Sequence, residues 1–395
     1  RCRCGYGRSL VKKCDTVPIE KIMTLTAHNI EYGVVAARPD QMYGWPGITR
    51  TADGDIVVSA SERIYHTGPQ SRTVVMRSAD GGRTWTLPQE VYNSETDDRD
   101  ASLRTMPDGT IVLTSFSSTD WVPHVVSGEF CAGRIIPDRW LSQWQGIVER
   151  MGLTEEGLPR PWLMRSEDGG RTWGPPVDTP TGQHSGPAAL ADGRLIYIGT
   201  GLVEMAEPIL AWESSDQGDT WEAVGEIPRA ADLPEETWLI ENHLVETSPG
   251  RLVALFRAEG CPWEDQYMYQ SNSNDFGRTW SVAEKLPVWG YPPHLLKLSS
   301  GAILCSYSYR DRPPSIRAMI SYDEGETWDY ENMMTLHELP VEHDFGYPVT
   351  TELTPGEMVT VWYLNKKYVR ENDKYVHLAY AEDAGGIMSI HWTLK

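Results

Sequence analysis

The sequence predicts an all-β protein, a six-bladed β-propeller with a helical insertion in its second blade. Two observations lead to this prediction. A turn-like pattern of the form S-x-D-x-G-x-T-W occurs five times, and a pattern of strand, short turn and strand occurs six times. Self-similar units of this kind indicate a propeller or another repeat array, and four strands in each of six units give six blades.

The five turn-like copies suit tight turns between neighbouring strands. In each copy the Asp carboxylate can accept hydrogen bonds from N–H groups of the turn, and the Gly can adopt a positive φ. The closing Trp can cover the edge of a sheet and pack against its neighbour. The copies begin at Ser78, Ser166, Ser214, Ser273 and Ser321.

The second pattern predicts the inner hairpin of each blade, because Asp-Gly or a similar turn between two apolar runs is a strong hairpin signal. The sixth unit lacks the Asp turn, and we expect its outer strand at residues 375–381. A first strand over residues 22–35 and a last strand over residues 387–394 are expected to share a blade and close the ring. The predicted hairpins span residues 48–59, 103–115, 188–199, 244–256, 295–307 and 349–362.

The repeats predict one domain over residues 23–395, preceded by a basic leader, residues 1–22, that is not expected to belong to the fold. An insertion over about residues 118–160 interrupts the second unit. Within it, Asp138 can cap a helix, and apolar side chains from Trp140 onward recur at helical spacing. This helix could pack on the rim of the propeller or form a wall over its site.

The composition disfavours some classes of partner. A net charge of −21 argues against nucleic acid, which selects basic surfaces, and against adsorption to anionic membranes. No apolar run approaches the roughly 18 residues of a membrane-spanning helix. The six cysteines do not predict a disulfide framework. Compartment and oligomeric state are left open.

In a propeller the inner strands line a central channel, so residues that flank the inner hairpins should meet at one mouth. These positions carry carboxylates, Arg, His and aromatic residues, where a purely structural chain would carry Ser, Asn or Gly. Arginines here could clamp a substrate carboxylate, and acids could supply an acid, base or nucleophile for glycosyl chemistry. The candidates are Trp45, Arg63, His66, Asp98, Asp100, Glu241, His243, Arg257, Arg310, Arg317 and Tyr347.

Four histidines flank the same hairpins and offer a second interpretation, a zinc site, because imidazoles on converging strands can bind zinc. No tight motif spacing supports this interpretation, so neither a metal nor a cofactor is predicted. The four residues are His184, His243, His294 and His343.

The Asp boxes and the six units resemble the sialidase (neuraminidase) superfamily over essentially all of residues 23–395. The boxes identify the superfamily and not the activity, because they lie on outer turns away from the chemistry. The resemblance implies an exo-acting glycoside hydrolase that removes a terminal acidic sugar, such as sialic acid or a related ulosonic acid, from a glycan. Such enzymes use three arginines on the substrate carboxylate, a Tyr nucleophile with a Glu partner, and an Asp acid.

Several of these roles carry over to residues of this chain. Tyr347, in Phe-Gly-Tyr-Pro, matches the nucleophile, and Glu241 matches its general base. Arg257 and Arg317 match the second and third arginines of the family pattern. The resemblance therefore implies that these two arginines hold the substrate carboxylate.

The chain departs from the family pattern in two places. The first Arg is replaced, because the sequence before the first hairpin reads Gly44-Trp45-Pro46. The Asp acid is expected near Gly68, where no acid occurs. We expect Asp100 to act as the acid instead, with His66 as the competing candidate. The remaining substrate contacts are predicted at Trp45, Arg63, Asp98, His243 and Arg310.

Two other functions fit the same residues. In a uronate lyase, Arg257 and Arg317 would neutralise the substrate carboxylate while Tyr347 and a histidine such as His243 moved protons. In a carbohydrate-binding propeller, the same mouth would hold a glycan without turnover. A lyase would generate an unsaturated uronate that absorbs in the ultraviolet, which separates it from a hydrolase.

Overall fold

The fold is built from antiparallel β-sheets arranged around a channel. A computed structural model describes residues 27–38, 41–127, 138–154, 157, 159–202, 208–339, 343–366, 369–371, 374–376 and 385–394. Within these residues the strands form six four-stranded sheets and one two-stranded ribbon. The predicted all-β class and six-bladed propeller are confirmed. The leader predicted at residues 1–22 lies outside the described residues.

The strands are numbered in chain order. The first thirteen are β1 (Ala27–Ala37), β2 (Met42–Arg50), β3 (Ile56–Arg63), β4 (Ser71–Ser78), β5 (Gln89–Tyr92), β6 (Asp97–Thr105), β7 (Ile111–Ser118), β8 (Arg160–Ser166), β9 (Val177–Asp178), β10 (Ala188–Ala189), β11 (Leu195–Gly199), β12 (Ile209–Ser214) and β13 (Glu222–Ile227). The others are β14 (Trp238–Ser248), β15 (Arg251–Glu259), β16 (Tyr267–Ser273), β17 (Glu284–Trp289), β18 (His294–Lys297), β19 (Ile303–Tyr309), β20 (Ser315–Ser321), β21 (Met334–Glu338), β22 (His343–Thr354), β23 (Glu357–Lys366), β24 (Val369–Glu371), β25 (Lys374–Val376) and β26 (Gly386–Leu394).

Five blades are formed by four consecutive strands each, from β2–β5 in blade one to β18–β21 in blade five. The first two strands of each blade form the predicted inner hairpin. Blade six combines the two ends of the described chain, in the order β22, β23, β26, β1. The predicted sharing of one blade by the first and last strands is therefore confirmed.

The outer strand of blade six predicted at residues 375–381 was wrong for the part that the structure describes. Residues 374–376 pair with residues 369–371 in a separate ribbon, whereas β26 pairs with β23. The physical reason is burial, because Ile387, Ile390 and Trp392 of β26 are almost completely enclosed in the core. Residues 377–381 lie outside the described part of the chain.

The Asp boxes form the turns between the third and fourth strands of blades one to five. In the first box, Oδ1 of Asp80 accepts hydrogen bonds from the N–H groups of Arg83 (3.0 Å) and Thr84 (2.9 Å), and Oδ2 accepts from the Thr84 hydroxyl (2.6 Å). These bonds, with one from Ser78, hold the pKa of Asp80 below its ordinary value. The bonds to the Thr of the box recur at Asp168, Asp216, Asp275 and Asp323.

Two helices, α1 (Val122–Ser127) and α2 (Asp138–Met151), lie between β7 and β8 of blade two. Trp140 and Trp144 of α2 contact the Tyr65 ring, with centroids 5.6 and 6.0 Å apart. A Cβ at Gly68 would lie 2.5 Å from the fully buried Trp144 ring. Helix α2 therefore lies against the segment between β3 and β4, beside the mouth-flanking residues of blade one. Among the described residues, no helix has the length and apolar character needed to cross a membrane.

The core lies between neighbouring blades. Ile196 and Ile198 of blade three belong to the same buried cluster as Leu252 and Phe256 of blade four. Similar clusters join the other blades. Because each blade buries its faces only against its neighbours, any element that fixes the spacing between blades contributes to the stability of the whole ring.

Gly225→Ala should destabilise the propeller by about 1–3 kcal/mol, because it overpacks a contact between blades. Gly225 lies on β13 of blade three, and an added Cβ would come 2.1 Å from the Gly277 carbonyl and 2.8 Å from the Arg278 carbonyl of blade four. Both contacts are backbone atoms, so neither can move aside as a side chain could. Urea denaturation of the purified variant would measure the loss.

The matched control is Gly146→Ala in α2, where an added Cβ meets nothing within 4 Å. This change should leave the free energy of unfolding unchanged or raise it by up to about 1 kcal/mol, since Ala favours the helix. Equal stabilities for Gly225→Ala and the wild type would contradict the proposed contact.

Candidate active site

Four inner strands carry a β-bulge at the same level of the channel. In each bulge, two residues of the inner strand lie opposite one residue of the neighbouring strand. The first residue of each bulge has a positive φ: Trp45 (50°), Asp100 (54°), Glu241 (46°) and Tyr347 (56°). Residues other than glycine seldom adopt this conformation. Bulges re-aim side chains and recur beside active sites, so this common distortion points to one functional locus.

These bulged residues converge on Tyr347. The Tyr347 hydroxyl donates a short hydrogen bond to Oε1 of Glu241. The Trp45 ring stands edge-on to the Tyr347 ring at 6.4 Å, and the His184 ring does so at 4.5 Å. The negative charge of Asp100 contributes to raising the pKa of Tyr347, which places Asp100 in the same neighbourhood. Strands from blades one, two, four and six and the segment before β10 in blade three thus meet at one mouth.

Tyr347, Glu241 and Arg257 form a chain of charge-assisted contacts. Nη1 of Arg257 donates to Oε2 of Glu241 at 2.8 Å, while Oε1 accepts from Tyr347. Burial raises the pKa of Glu241, but the Arg257 charge and the hydrogen bonds outweigh it, so the net pKa lies below its ordinary value. Burial and the Glu241 charge raise the pKa of Tyr347 well above its ordinary value. The resting state is therefore a neutral phenol beside an ionised carboxylate.

Two guanidinium groups flank the Tyr291 ring. The Cζ atom of Arg257 lies 4.1 Å from the ring centroid, and that of Arg310 lies 5.3 Å from it. Arg257 also pairs with Glu259. Nη2 of Arg310 donates to the Tyr363 hydroxyl at 3.0 Å, and the Tyr363 ring lies 5.8 Å from that of Tyr347. The positive charges of Arg257 and Arg310 therefore border the space beside Tyr347 and Tyr363.

The Trp45 ring lies between two further arginines. The Cζ atoms of Arg63 and Arg99 lie 4.6 and 4.7 Å from its centroid, and the His66 ring lies 5.3 Å away. Arg63 is buried in an ion pair with Asp97 and donates to the His66 carbonyl at 2.6 Å. Cation–π contact of this kind holds an indole firmly in place. Two guanidinium groups therefore lie beside position 45, although the residue at this position is a tryptophan and not an arginine.

Comparison with known proteins identifies the family. The model of the BNR repeat-like domain family matches residues 138–359, more than half of the chain. The chain belongs to this family, within the sialidase superfamily of propellers. A sialidase of Micromonospora viridifaciens is 25% identical over 289 residues, which cover 72% of this chain and 36% of that protein. The chain therefore spans about a third of the length of this curated relative.

Several solved structures share the fold. A protein of unknown function from Dyadobacter fermentans superposes with a TM-score of 0.68 at 20% identity, covering 95% of this chain and 100% of that one. The NanB sialidase of Streptococcus pneumoniae gives 0.63 at 13% identity, with coverages of 92% and 70%. An intramolecular trans-sialidase of Ruminococcus gnavus gives 0.56 at 14%, with coverages of 89% and 94%.

Three of the sequence candidates have their side-chain contacts with residues other than Tyr347. Asp98 accepts hydrogen bonds from Ser94 and Ser117. His243 contacts Arg104 deeper in the channel. Arg317 lies on β20 with its Cζ atom 3.5 Å from the Tyr309 ring centroid. Their substrate-binding roles remain predictions, whereas the structure brings Tyr347, Glu241, Arg257, Trp45 and Asp100 together.

Four residues at the mouth of the channel were not among the sequence candidates for catalysis or substrate binding. They all flank inner hairpins, so position in the repeat was the signal that could have identified them. The four are Arg99, His184, Tyr291 and Tyr363.

The histidines of the zinc hypothesis lie in different surroundings. In the described residues, no group of three or more His, Cys, Asp or Glu side chains is placed to hold a metal ion. The His243 and His294 rings are neighbours at 4.4 Å, while the His184 ring faces Tyr347. The side chain of His343 lies outside the described part.

Asp98→Asn should remove a pH-dependent instability. Burial raises the pKa of Asp98 to about 6, although bonds from Ser117 and Ser94 oppose this shift. The folded protein then holds a proton that the unfolded chain releases between about pH 4 and pH 6, so stability falls as the pH rises through this window. The free energy of unfolding of the variant, minus that of the wild type, should therefore increase by up to about 3 kcal/mol between pH 4 and pH 8.

Urea denaturation of both proteins at the two pH values measures this difference. A difference that stays constant with pH would show that Asp98 titrates at its ordinary value in the folded protein.

Proposed function

We propose that this chain is an exo-acting glycoside hydrolase that removes a terminal acidic sugar, sialic acid or a related ulosonic acid, from glycans. The observation that carries the proposal is the hydrogen bond from the Tyr347 hydroxyl to Glu241, whose other oxygen binds Arg257. Membership of the sialidase superfamily supports the reaction class. A tyrosine suits this substrate, because a neutral phenol approaches an anomeric carbon bearing a carboxylate without the repulsion that a carboxylate nucleophile would meet.

In the proposed first step Tyr347 attacks the anomeric carbon. A bond forms from its Oη to this carbon while the glycosidic C–O bond breaks, and Oε1 of Glu241 takes the phenolic proton. The low pKa of Glu241 keeps this carboxylate ionised and ready to accept the proton. In the second step water attacks the anomeric carbon and the bond from this carbon to Oη of Tyr347 breaks. Glu241 returns its proton to the Tyr347 oxygen, and the water gives its proton to the acid that protonated the leaving oxygen in the first step. The free sugar is then released.

The substrate carboxylate would bind beside Tyr291. Arg257 and Arg310 border this place, and each guanidinium carries five donors, more than its protein contacts use. Arg317, which matches the third arginine of the family, would have to reach this place from β20. We therefore propose Arg257 and Arg310 as the primary carboxylate ligands and keep Arg317 as the family-based alternative.

The acid that protonates the leaving oxygen is proposed to be Asp100. It occupies the same bulge position in blade two as Glu241 in blade four and Tyr347 in blade six. Its side chain is largely buried, and its charge acts on Tyr347. His66, beside the Trp45 ring, is the competing candidate.

A uronate lyase is the second candidate, and His184 is the observation that favours it. The His184 ring lies 4.5 Å from that of Tyr347, and burial lowers its pKa to about 4. A neutral imidazole next to a tyrosine can accept a proton, as a lyase requires. This arrangement is also compatible with the hydrolase, where His184 would pack against the nucleophile.

The deciding experiment incubates the purified full chain with 4-methylumbelliferyl sialosides and ulosonides and with polymeric uronides. Fluorescence and mass spectrometry of the released sugar report hydrolysis, and ultraviolet absorbance reports an unsaturated uronate. Release of free acidic sugar supports the hydrolase. An unsaturated product would replace it with the lyase, and tight glycan binding without any product would indicate a binding propeller.

A further inference from the structure

Three side chains form a cluster in the central channel, below the level of Tyr347. They are Arg104 on β6, His243 on β14 and His294 on β18, and we call them the channel cluster. Arg104 donates a short hydrogen bond to Nε2 of His243, and the two histidine rings lie 4.4 Å apart. Both imidazoles are almost completely buried, whereas Arg104 is partly buried.

The hydrogen-bond pattern assigns the protons of the two histidines. An arginine can only donate, so Nε2 of His243 accepts and its Nδ1 carries the proton. Nδ1 of His294 accepts from the Thr350 N–H at 3.4 Å, so its proton is on Nε2. Among the described residues, none offers a hydrogen-bond partner to Nδ1 of the buried His243. The cluster therefore presents donors only, and a buried donor without an acceptor is costly.

The positive charge of Arg104 is not balanced locally. Its guanidinium donates to the carbonyls of Leu103 (2.9 Å) and Ser185 (3.1 Å). None of the ion pairs found among the described residues includes it, and no carboxylate contributes to its pKa. Burial lowers that pKa to about 10, so Arg104 stays charged at neutral pH. An isolated cation is unexpected here, because the chain has a net charge of −21.

The cluster also lines a cavity of about 510 Å³ that extends toward the turns of the inner hairpins. Besides the cluster, Arg50 and Lys297 line this cavity, and Glu246 is its acidic residue. The Glu246 oxygens are held by the N–H groups of Ala191 (2.7 Å) and Gly250 (3.1 Å). Three cations against one carboxylate make the cavity a positive pocket in an acidic protein.

We propose that the channel cluster binds a small inorganic anion. Chloride is the anion whose size and charge fit the cluster. The anion would accept hydrogen bonds from Arg104, His243 and His294, and it would balance the Arg104 charge. The cluster lies below Tyr347 and lines one narrow pocket with Tyr347 and His184, but the proposed anion site does not depend on the proposed hydrolase activity.

Thermal unfolding of the full chain in sodium chloride tests the proposal, with sodium gluconate keeping the ionic strength constant. The Tm of the wild type should rise with chloride and follow the saturation curve of a single site. Arg104→Met should weaken the apparent chloride affinity at least tenfold. The matched control is Arg251→Met, since Arg251 contacts Asn274 and Glu324 outside this cavity and should leave the affinity unchanged.

Two further measurements keep the test decisive if Arg104→Met does not fold. His243→Phe keeps a ring of similar size but removes the Nδ1 donor, so it should also weaken chloride binding. Crystals soaked in sodium bromide should show an anomalous peak among the three side chains, and competition by phosphate would support the same donor set.

Several outcomes would overturn the proposal. They are a wild-type Tm that does not respond to chloride, equal responses in wild type and His243→Phe, a response to phosphate alone, and a bromide peak without any effect in solution.

Discussion

Tyr347→Phe should reduce the turnover of an activated aryl sialoside by about a thousandfold or more. The variant keeps the ring but loses the oxygen proposed to attack the anomeric carbon. Glu241 would remain bound to Arg257, so the buried carboxylate keeps a charged partner and the fold should persist. The fluorescence assay gives kcat and KM, and we expect the loss in kcat with a Tm within a few degrees of the wild type.

Tyr363→Phe is the matched control for this change. The Tyr363 ring lies 5.8 Å from that of Tyr347, and its hydroxyl bonds to Arg310 and Asp344 instead of Glu241. Removing this hydroxyl should affect substrate binding through Arg310 and cost about tenfold or less in kcat. Equal losses in the two variants would mean that Tyr347 acts through packing or polarity, and an active Tyr347→Phe protein would exclude it as the nucleophile.

Local patterns made the blades predictable. The acceptor of the first Asp box, Asp80, and its donors lie within four residues of one another. Hairpins such as β2–β3 likewise occupy one short stretch of chain. Such patterns can be identified without knowing which elements meet in space.

The assembly of blade six depends on contacts that no local pattern contains. Residues 375–381 have an apolar pattern suited to a strand, and so has β26. Only the pairing of β1 with β26, which joins the two ends of the described chain, decides which of them lies beside β23. Ring closure is a tertiary event, and it overrides strand propensity at this point.

The candidate site was predictable in position and not in detail. Tyr347 and Glu241 flank inner hairpins, which placed them at the mouth. Asp97 and Asp98 are neighbours on β6, and a one-residue difference in strand register exchanges their faces. Asp97 pairs with Arg63, while Asp98 binds Ser94 and Ser117. The sequence alone could not decide between these two arrangements.

The β-bulges could not be predicted from the sequence either. Their positive φ values fall on Trp, Asp, Glu and Tyr, and of these residue types only Asp is enriched in this conformation. Pro46 and Pro348 follow two of these residues, but Ala101 and Asn242 follow the others. Packing between adjacent blades must therefore hold the bulges, as it holds strained residues in other active sites.

Protonation of the leaving oxygen separates natural glycosides from activated aryl substrates. An alkoxide is a poor leaving group and needs an acid, whereas an aryl oxide barely needs one. If Asp100 supplies this proton, Asp100→Asn should lower kcat on a natural sialylated glycan by about 10²–10⁴-fold while leaving the aryl substrate nearly unaffected. The ratio of the two kcat/KM values is the measurement, because a general loss of fold or binding would lower both values together.

Asp98→Asn is the matched control, since it makes the same change two residues away in a carboxyl that is bound by Ser94 and Ser117. Its substrate ratio should equal that of the wild type. His66→Gln tests the competing acid beside the Trp45 ring. A selective loss on natural glycans in His66→Gln, with none in Asp100→Asn, would transfer the acid role to His66. Equal losses on both substrates in Asp100→Asn would instead assign Asp100 to the support of Tyr347, whose pKa its charge helps to raise.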